Sequence, residues 1–501
     1  AIGANCSWSK LRLLSLSQNM VGNDGAIALG SNTTWIHLEE LWLKANNIGD
    51  NGAAAIGANC SWSKLRLLSL SQNMVGNDGA IALGSNTMWI HLEELWLQEN
   101  SIGDRGAAAI GKNITWIKLR NLSLTGNKIG DEGAMALGSN TAWVSLEKLW
   151  LQQNKIGDNG ASAIGNNKTW KKLRELCLRG NVIADEGAMA IGANKIWVKL
   201  IELDLNKNNI GVQGAIAIGE NTSWKNLKEL YLGDNTIHTE GAVAISSNTN
   251  WIHLKELVLY DNAIGDKGVV ALAVNPNLSE LRKLNLGNNE IGDEGAIAIG
   301  SNENWKHLTE LVLFNNKIGD QGIRAISENI VWCKLTKLDL SGNDIEDEGA
   351  KALGSNSTWM ALEELYLNIN SIGDEGAIAL AENTAWTKLK KLNLSYNVIG
   401  DEGAISISSN TAWVHLEELL LMENNIREEG AAVLNKNKRL ESVLRFNIRQ
   451  RSPVPEISQE ITEPKKKIKK ARTGLVIMFI MWTTVVLIIL VVLCKLLKHT
   501  N

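Results

Sequence analysis

Residues 38–64 read LEELWLKANNIGDNGAAAIGANCSWSK, and this stretch decides the fold. Leu38, Leu41 and Leu43 set alternate side chains on one face, the mark of a short strand. Asn46 ends the strand, and its amide is expected to bond the backbone of the next coil. Ile48 returns inward, and Gly49 is expected to permit the turn. Asp50 suits the N-cap of the helix that follows. Gly52, Ala53, Ala55 and Ile56 give that helix a small-residue face, and Gly57 and Asn59 end it. Trp62 is expected to cover the gap between the helix and the next strand.

The stretch is one of many copies. Tryptophan returns every 27 residues from Trp8 to Trp251 and again from Trp305 to Trp413, with Leu278 in its place once. Asparagine keeps the beat from Asn19 to Asn424 without a miss. Residues 1–43 match 55–97 at every position except Thr34 against Met88, the sign of a two-unit duplication. One such unit cannot bury its leucines alone, so the units must stack and share a core. Strands stack about 4.8 Å apart and helices about 10 Å. The expected architecture is therefore an α/β solenoid of about sixteen units. It forms a curved horseshoe with a parallel concave sheet roughly 75 Å along the arc and helices on the convex side.

The unit resembles the ribonuclease-inhibitor class of leucine-rich repeats, which includes ribonuclease inhibitor, Ran GTPase-activating protein and the repeat regions of NOD-like receptors. The run N-x-IGDEGA-x-AIG at Asn289–Gly300 carries the closest likeness to those receptor regions. The resemblance covers residues 1–440 and implies a recognition or scaffolding role. It departs from the receptors in lacking a nucleotide-binding domain, and no Gly-x-x-x-x-Gly-Lys-Ser/Thr loop occurs. The chain starts at Ala1, partway through a unit and without a polar cap. It therefore reads as missing an N-terminal part that would hold any signal peptide or effector domain.

Charge is unevenly spread. Residues 1–440 hold 39 Lys and Arg against 50 Asp and Glu, whereas residues 441–501 hold 11 against 4. An acidic body argues against nucleic acid as the partner. The five cysteines have no disulfide or metal spacing and fit a reducing compartment.

After Asn424 the pattern decays, and residues 427–448 keep one helix and a degenerate strand. A degenerate capping strand with Val443, Phe446 and Ile448 is expected in 441–448, then a linker over 449–472 that holds three of the four prolines. The linker ends in the basic residues Lys465, Lys466, Lys467, Lys469, Lys470 and Arg472. Thr473 to Cys494 is uncharged and apolar. As a helix it would span about 33 Å, against about 30 Å of hydrocarbon, so a single transmembrane helix is expected over 473–494, with a short tail at 495–501. Six basic residues precede it and two lysines, Lys495 and Lys498, follow it. That asymmetry predicts cytosolic repeats on a tail anchor, with the basic cluster at anionic lipid headgroups.

Ten Asn-x-Ser/Thr sequons give the opposite signal, and an extracellular receptor is the alternative they raise. They are Asn5, Asn32, Asn59, Asn113, Asn121, Asn167, Asn221, Asn277, Asn356 and Asn393. Seven of them share the loop position just ahead of the tryptophan, where duplication multiplies a chance match.

The residue between the second and third leucine of each strand points into the concave face. Trp42, Trp96 and Trp150 hold that place on alternate strands, with Tyr231 and Tyr366 further along. Tryptophan and tyrosine are favoured interface anchors, so these five residues are the candidate contacts for a protein partner. One place earlier, Arg12, Glu39, Arg66, Glu93, Arg120 and Glu147 alternate in sign, which suits lateral pairing that fixes register.

Enzyme chemistry is not expected. Five of the seven histidines are copies of one surface position. No catalytic set, metal spacing or phosphate loop occurs, and no cofactor or small-molecule substrate is implied. A GTPase regulator similar to Ran GTPase-activating protein is a second alternative.

Overall fold

The computed structural model describes residues 2–3, 7–437 and 445–447. The expected linker, polybasic segment with Lys465, Lys466, Lys467, Lys469, Lys470 and Arg472, span at 473–494 and tail lie outside the described residues. No helix among the described residues is long and apolar enough to cross a membrane.

Strand and helix alternate along the whole described chain. Seventeen strands run from β1 (Leu13–Ser15) to β17 (Arg445–Asn447), and sixteen α-helices from α1 (Gly22–Gly30) to α16 (Glu428–Lys436). Each strand pairs in parallel with the next in sequence, with a register shift of 27 residues throughout. For example, Leu14 lies opposite Leu41 and Leu41 opposite Leu68. The last pair sets Phe446 opposite Leu419. The solenoid expected from the repeat is therefore what forms, with the sheet on one face and the helices on the other.

Each unit contributes the same core. Leu38, Leu41, Leu43, Ile48, Ala53, Ile56 and Trp62 are all fully buried. Burying one such leucine contributes about 1.5–3 kcal/mol, which a lone unit could not collect. Trp62 lies inside this core and does more than cover a gap. Where Leu278 replaces tryptophan, the loop tightens into a 3₁₀ turn at Pro276–Leu278.

Two glycine expectations change. Gly49 has φ −99°, which any residue adopts. Ala184, Glu346 and Arg427 hold the same place in other units. Gly57 is needed for a different reason: a Cβ there would lie 2.6 Å from the backbone carbonyl carbon of Ala82, in the helix of the next unit. The left-handed residue of each unit lies instead just ahead of the ladder asparagine. Ala45, Gln72, Glu99, Ile369 and Tyr396 all have φ between 55° and 59°. At Ile369, a β-branched residue, that conformation costs about 1–2 kcal/mol. The ladder asparagine holds it in place.

That asparagine bonds backward, toward the preceding coil, and not forward as expected. Asn73 donates to the carbonyl of Leu43, 2.9 Å away in the unit before. Its Oδ1 accepts from the N–H groups of Asn46 and Ile48 in the same preceding unit. A second asparagine ladder runs along the loops. Asn59 donates to the carbonyls of Gly30 and Asn32 and accepts from the N–H groups of Ser61 and Trp62.

Capping also works between units. Asp50 makes no side-chain cap to its own helix, α2 (Asp50–Gly57). Its Oδ1 accepts from the N–H groups of Gly76 and Gly79, at 2.7 and 2.8 Å, at the start of α3 (Asn77–Gly84) in the next unit. Asn23 does the same for Gly49 and Gly52, and Asp104 for Gly130 and Gly133. A helix N-terminus leaves unpaired N–H groups and favours negative charge, so each unit supplies the cap of its successor.

The relay fails twice, at Val212 and Thr239, which occupy the aspartate position. The helices that follow are α9 (His238–Ser246) and α10 (Gly265–Val274). Both start one residue earlier than their counterparts, from an N-cap in the αR region, with His238 at φ 53° and Gly265 at φ 62°. Gly241 N–H turns to its own helix and donates to Ile237 O at 3.1 Å. The chain thus closes its own first turn where no neighbour caps it.

Candidate partner-binding face

The free face of the sheet is built from the side chains that flank the central leucine of each strand. Trp42, Trp96, Trp150, Tyr231 and Tyr366 all lie on it, and all are half-buried. The cause is local. Ser69 and Ser123 lie between the tryptophans, each 3% exposed, so the rings lean over them. Trp96 and Trp150 meet above Ser123 with centroids 5.3 Å apart and planes 57° to each other.

Glutamates hold the polar edges of these rings, and lysines lie over two of their faces. The indole N–H groups of Trp42 and Trp96 donate to Glu40 and Glu94, each at 3.0 Å. Lys148 sits 5.4 Å from the Trp150 ring, and Lys337 sits 5.5 Å from Tyr366. The Tyr231 hydroxyl lies 2.9 Å from both Glu229 Oε2 and Glu256 Oε2. Tyr366 donates to Glu364 at 3.0 Å. Burial and these carboxylates push both phenols well above their ordinary pKa. The structure does not gather the five aromatics into one pocket: Trp96 and Trp150 meet, Trp42 lies two strands from Trp96 and bonds Glu40, and each tyrosine has its own carboxylate partners.

Charge pairs laterally over most of the sheet, as expected. Arg12 bonds Glu39 through two N–H groups at 2.9 and 2.8 Å, and Arg66 with Glu93 and Arg120 with Glu147 repeat the arrangement. In the first column of the strands, Lys283 lies between Glu256 and Glu310 at 3.4 Å from each, and Lys391 reaches Glu364 at 3.0 Å.

The exception is a run of four glutamates on four adjacent strands. These are β7 (Glu175–Cys177), β8 (Glu202–Asp204), β9 (Glu229–Tyr231) and β10 (Glu256–Val258). Glu175, Glu202, Glu229 and Glu256 lie side by side in register. Lys148 pairs with Glu175 at 2.8 Å, and Lys283 closes the other end. Glu202 and Glu229, in the middle, have no salt bridge among the described residues. Burial first, then the charges of Glu229, Glu175 and Asp204, push the Glu202 carboxyl up to about 7 against the Cys177 bond. Burial likewise raises Asp204 to about 6, opposed by Asn206 N–H and Arg179. The Cys177 thiol donates to Glu202 at 3.3 Å, and burial holds it far above the usual thiol range. This run was missed in the sequence, although reading the first strand residue down the repeats shows it.

Most of the shared loop sequons are structural. The side-chain amides of Asn32, Asn59, Asn113, Asn167, Asn221 and Asn356 are no more than 6% exposed. Each donates to a backbone carbonyl of the preceding unit at 2.7–2.8 Å. A glycan on that nitrogen is incompatible with the folded unit.

Leucine Rich repeat is the family that matches the chain, over residues 9–30, 36–57, 63–84, 90–111, 117–138, 144–165, 171–192, 198–219, 225–246, 252–273, 277–300, 306–327, 333–354, 360–381 and 387–408. No curated protein matches it. Among solved structures, the plant peptide hormone receptor RGFR1 in complex with RGF2 is similar in fold. It is 19% identical and covers 89% of this chain and 69% of its own, with a TM-score of 0.51. The ectodomain of the Arabidopsis receptor kinase HAESA, in complex with an extended IDA peptide hormone, is 20% identical. It covers 84% of this chain and 64% of its own, again at 0.51. An internalin from Listeria monocytogenes is 24% identical over 68% of this chain and 83% of its own, at 0.48. The family segments span most of the described units, and the parallel sheet backed by one helix per unit is the fold they imply: this chain belongs to the leucine-rich repeat family.

Proposed function

We propose that the repeats bind an extended segment of a partner protein along the free sheet face, and that the partner presents lysine or arginine to the glutamate run. The observation that carries this is the break in charge pairing at Glu202 and Glu229, beside half-buried rings. Like charges in register cost stability and do nothing for the stack, whereas opposite charges occupy the same column elsewhere. Trp42, Trp96 and Trp150 supply flat apolar anchors, and Tyr231 and Tyr366 add smaller ones. RGFR1 and HAESA were solved with peptide hormones bound, which supports an extended ligand for this face. The eight-residue helix in units such as α2 supports the ribonuclease-inhibitor type of repeat, and that resemblance would make the role one of scaffolding, similar to the arm of a NOD-like receptor.

The test is selection from a random displayed-peptide library against the full chain. Enrichment of basic sequences is expected. Trp42→Ser/Trp96→Ser/Trp150→Ser should weaken the selected peptides at least tenfold, and Glu202→Gln/Glu229→Gln should erase the preference for basic residues. Unchanged binding by both variants would remove this reading.

We further propose that 473–494 tethers the chain to a membrane as a single pass, with the repeats in the cytosol and Lys465–Arg472 on anionic headgroups. The flanking charge supports this orientation, and so do the buried sequon amides. Resistance to alkaline extraction, with protease protection of a tag after Asn501, is the expected result. A protease-accessible tag and glycosidase-sensitive repeats would reverse the topology.

A further inference from the structure

The loops that join each helix to the next strand line one edge of the solenoid. In the first half they have a chemistry that the free sheet face does not use. The seven loops 31–37, 58–64, 85–91, 112–118, 139–145, 166–172 and 193–199 contain eight lysines and no Asp or Glu. The later loops carry Glu220, Glu280, Glu303, Glu328 and Glu382. Lys112, Lys168, Lys171, Lys172, Lys195 and Lys199 are exposed and form no salt bridge among the described residues. The carboxylates that follow these lysines most closely along the chain are on the sheet strands: Glu175, three residues after Lys172, is paired with Lys148, and Glu202, three residues after Lys199, accepts from Cys177.

Aliphatic side chains stand between these lysines. Ile114 is 70% exposed, Ile117 53%, Val144 50% and Val198 48%. Attraction to helix C-termini accounts for Lys112, the C-cap of its helix. It does not account for Lys171, Lys172 and Lys199, which lie beyond the last turn, or for the exposed aliphatics. A body whose net charge is strongly negative has thus gathered positive charge and apolar surface on one edge.

We propose that this edge, from Lys112 to Lys199, docks on the surface of an anionic phospholipid bilayer. Lysine ammonium groups are attracted to the surface potential, and half-exposed Ile and Val side chains enter the headgroup boundary. Nucleic acid fits less well: the edge has no exposed aromatic to stack on bases and no arginine fork. The inference rests on the repeats by themselves and stands apart from the proposed span.

The experiment uses the full chain with its native cysteines replaced by serine, on phosphatidylcholine vesicles with and without phosphatidylserine. An environment-sensitive fluorophore is placed at Ile117→Cys, or at Met360→Cys in a lysine-free loop of the same edge. A blue shift that needs phosphatidylserine is expected at 117 and not at 360. High salt should suppress it. Lys168→Glu/Lys171→Glu/Lys172→Glu/Lys195→Glu/Lys199→Glu should abolish it while circular dichroism is unchanged. No lipid-dependent shift, an equal shift at both sites, or a larger response to an RNA oligonucleotide than to vesicles would each overturn the proposal.

Discussion

Residues 1–43 and 55–97 are the same sequence apart from one position, yet they do not form the same structure. Trp8 is 42% exposed and Trp62 fully buried; Leu13 is 52% exposed and Leu67 8%. Asn19 bonds only the carbonyls of its own unit, Leu16 and Ser17, whereas Asn73 reaches back to Leu43 as well. The helices begin differently too. In the second copy Gly76 is extended and its N–H is held by Asp50; in the first, Gly22 is left-handed at φ 59° and the N-cap, Val21, lies in the αR region. No described helix lies ahead of the first copy. Local sequence therefore sets which element forms, and the preceding unit sets how it starts and how deeply it is buried.

The sharpest way to break this comparison is to delete the same side chain from both copies. Trp62→Ala should cost about 3–5 kcal/mol, because a large cavity opens in a core that cannot collapse around it. Trp8→Ala should cost less than about 1 kcal/mol, since the ring is already partly in water. Urea unfolding of the full chain reads both. Equal losses would mean that the first unit is as well packed as the third.

The cap relay offers a second test, smaller in size. Asp50→Ala should destabilise α3 by about 1–2 kcal/mol and push its start toward the form seen in α1. Amide exchange at Gly76 and Gly79 should quicken first. The reverse change, Val212→Asp, should slow exchange at Gly241 and stabilise by up to about 1 kcal/mol, as the missing cap of α9 is restored. Exchange at Gly241 that does not respond would separate the left-handed His238 from the missing carboxylate.

What could be read in advance follows the range of the interactions. Leu38, Leu41 and Leu43 declare a strand because alternation is a property of neighbours, and Asp50 to Gly57 declare a helix for the same reason. The cap of α3 was invisible because donor and acceptor are 26 and 29 residues apart. Asp50 was assigned to its own helix because nothing within its unit says otherwise. The left-handed site was hidden because Gln, Glu, Ile and Tyr hold it as readily as glycine, which only a ladder from the adjacent unit permits. At the candidate site, the column of Trp42, Trp96 and Trp150 was legible from spacing. The lean of each ring over a serine was not, since it depends on the strand between. The glutamate run was present in the letters and needed only to be read across units.

Two glutamates in one column extend the comparison to charge and to its smallest expected effect. Glu364 lies between Lys337 and Lys391. Burial pushes its carboxyl up, but the bonds from Lys391 and Tyr366 and the charge of Lys337 prevail, and its pKa is lowered. Glu202 lies between Glu175 and Glu229, and its carboxyl rises to about 7. The signs are opposite. A raised folded pKa means that the folded state binds the proton more tightly, so stability falls as pH climbs from about 4.5 to about 7. A lowered one contributes stability above 4.5 that is lost as pH falls. Glu202→Gln should therefore raise Tm at neutral pH by about 1–3 °C and flatten its decline between those limits, Asp204 keeping a smaller slope toward 6. Glu364→Gln should lower Tm at neutral pH by a similar amount and change little in acid. Should Glu202→Gln leave the slope intact, repulsion along the run is relieved in some other way, and the partner's positive charge loses its physical reason.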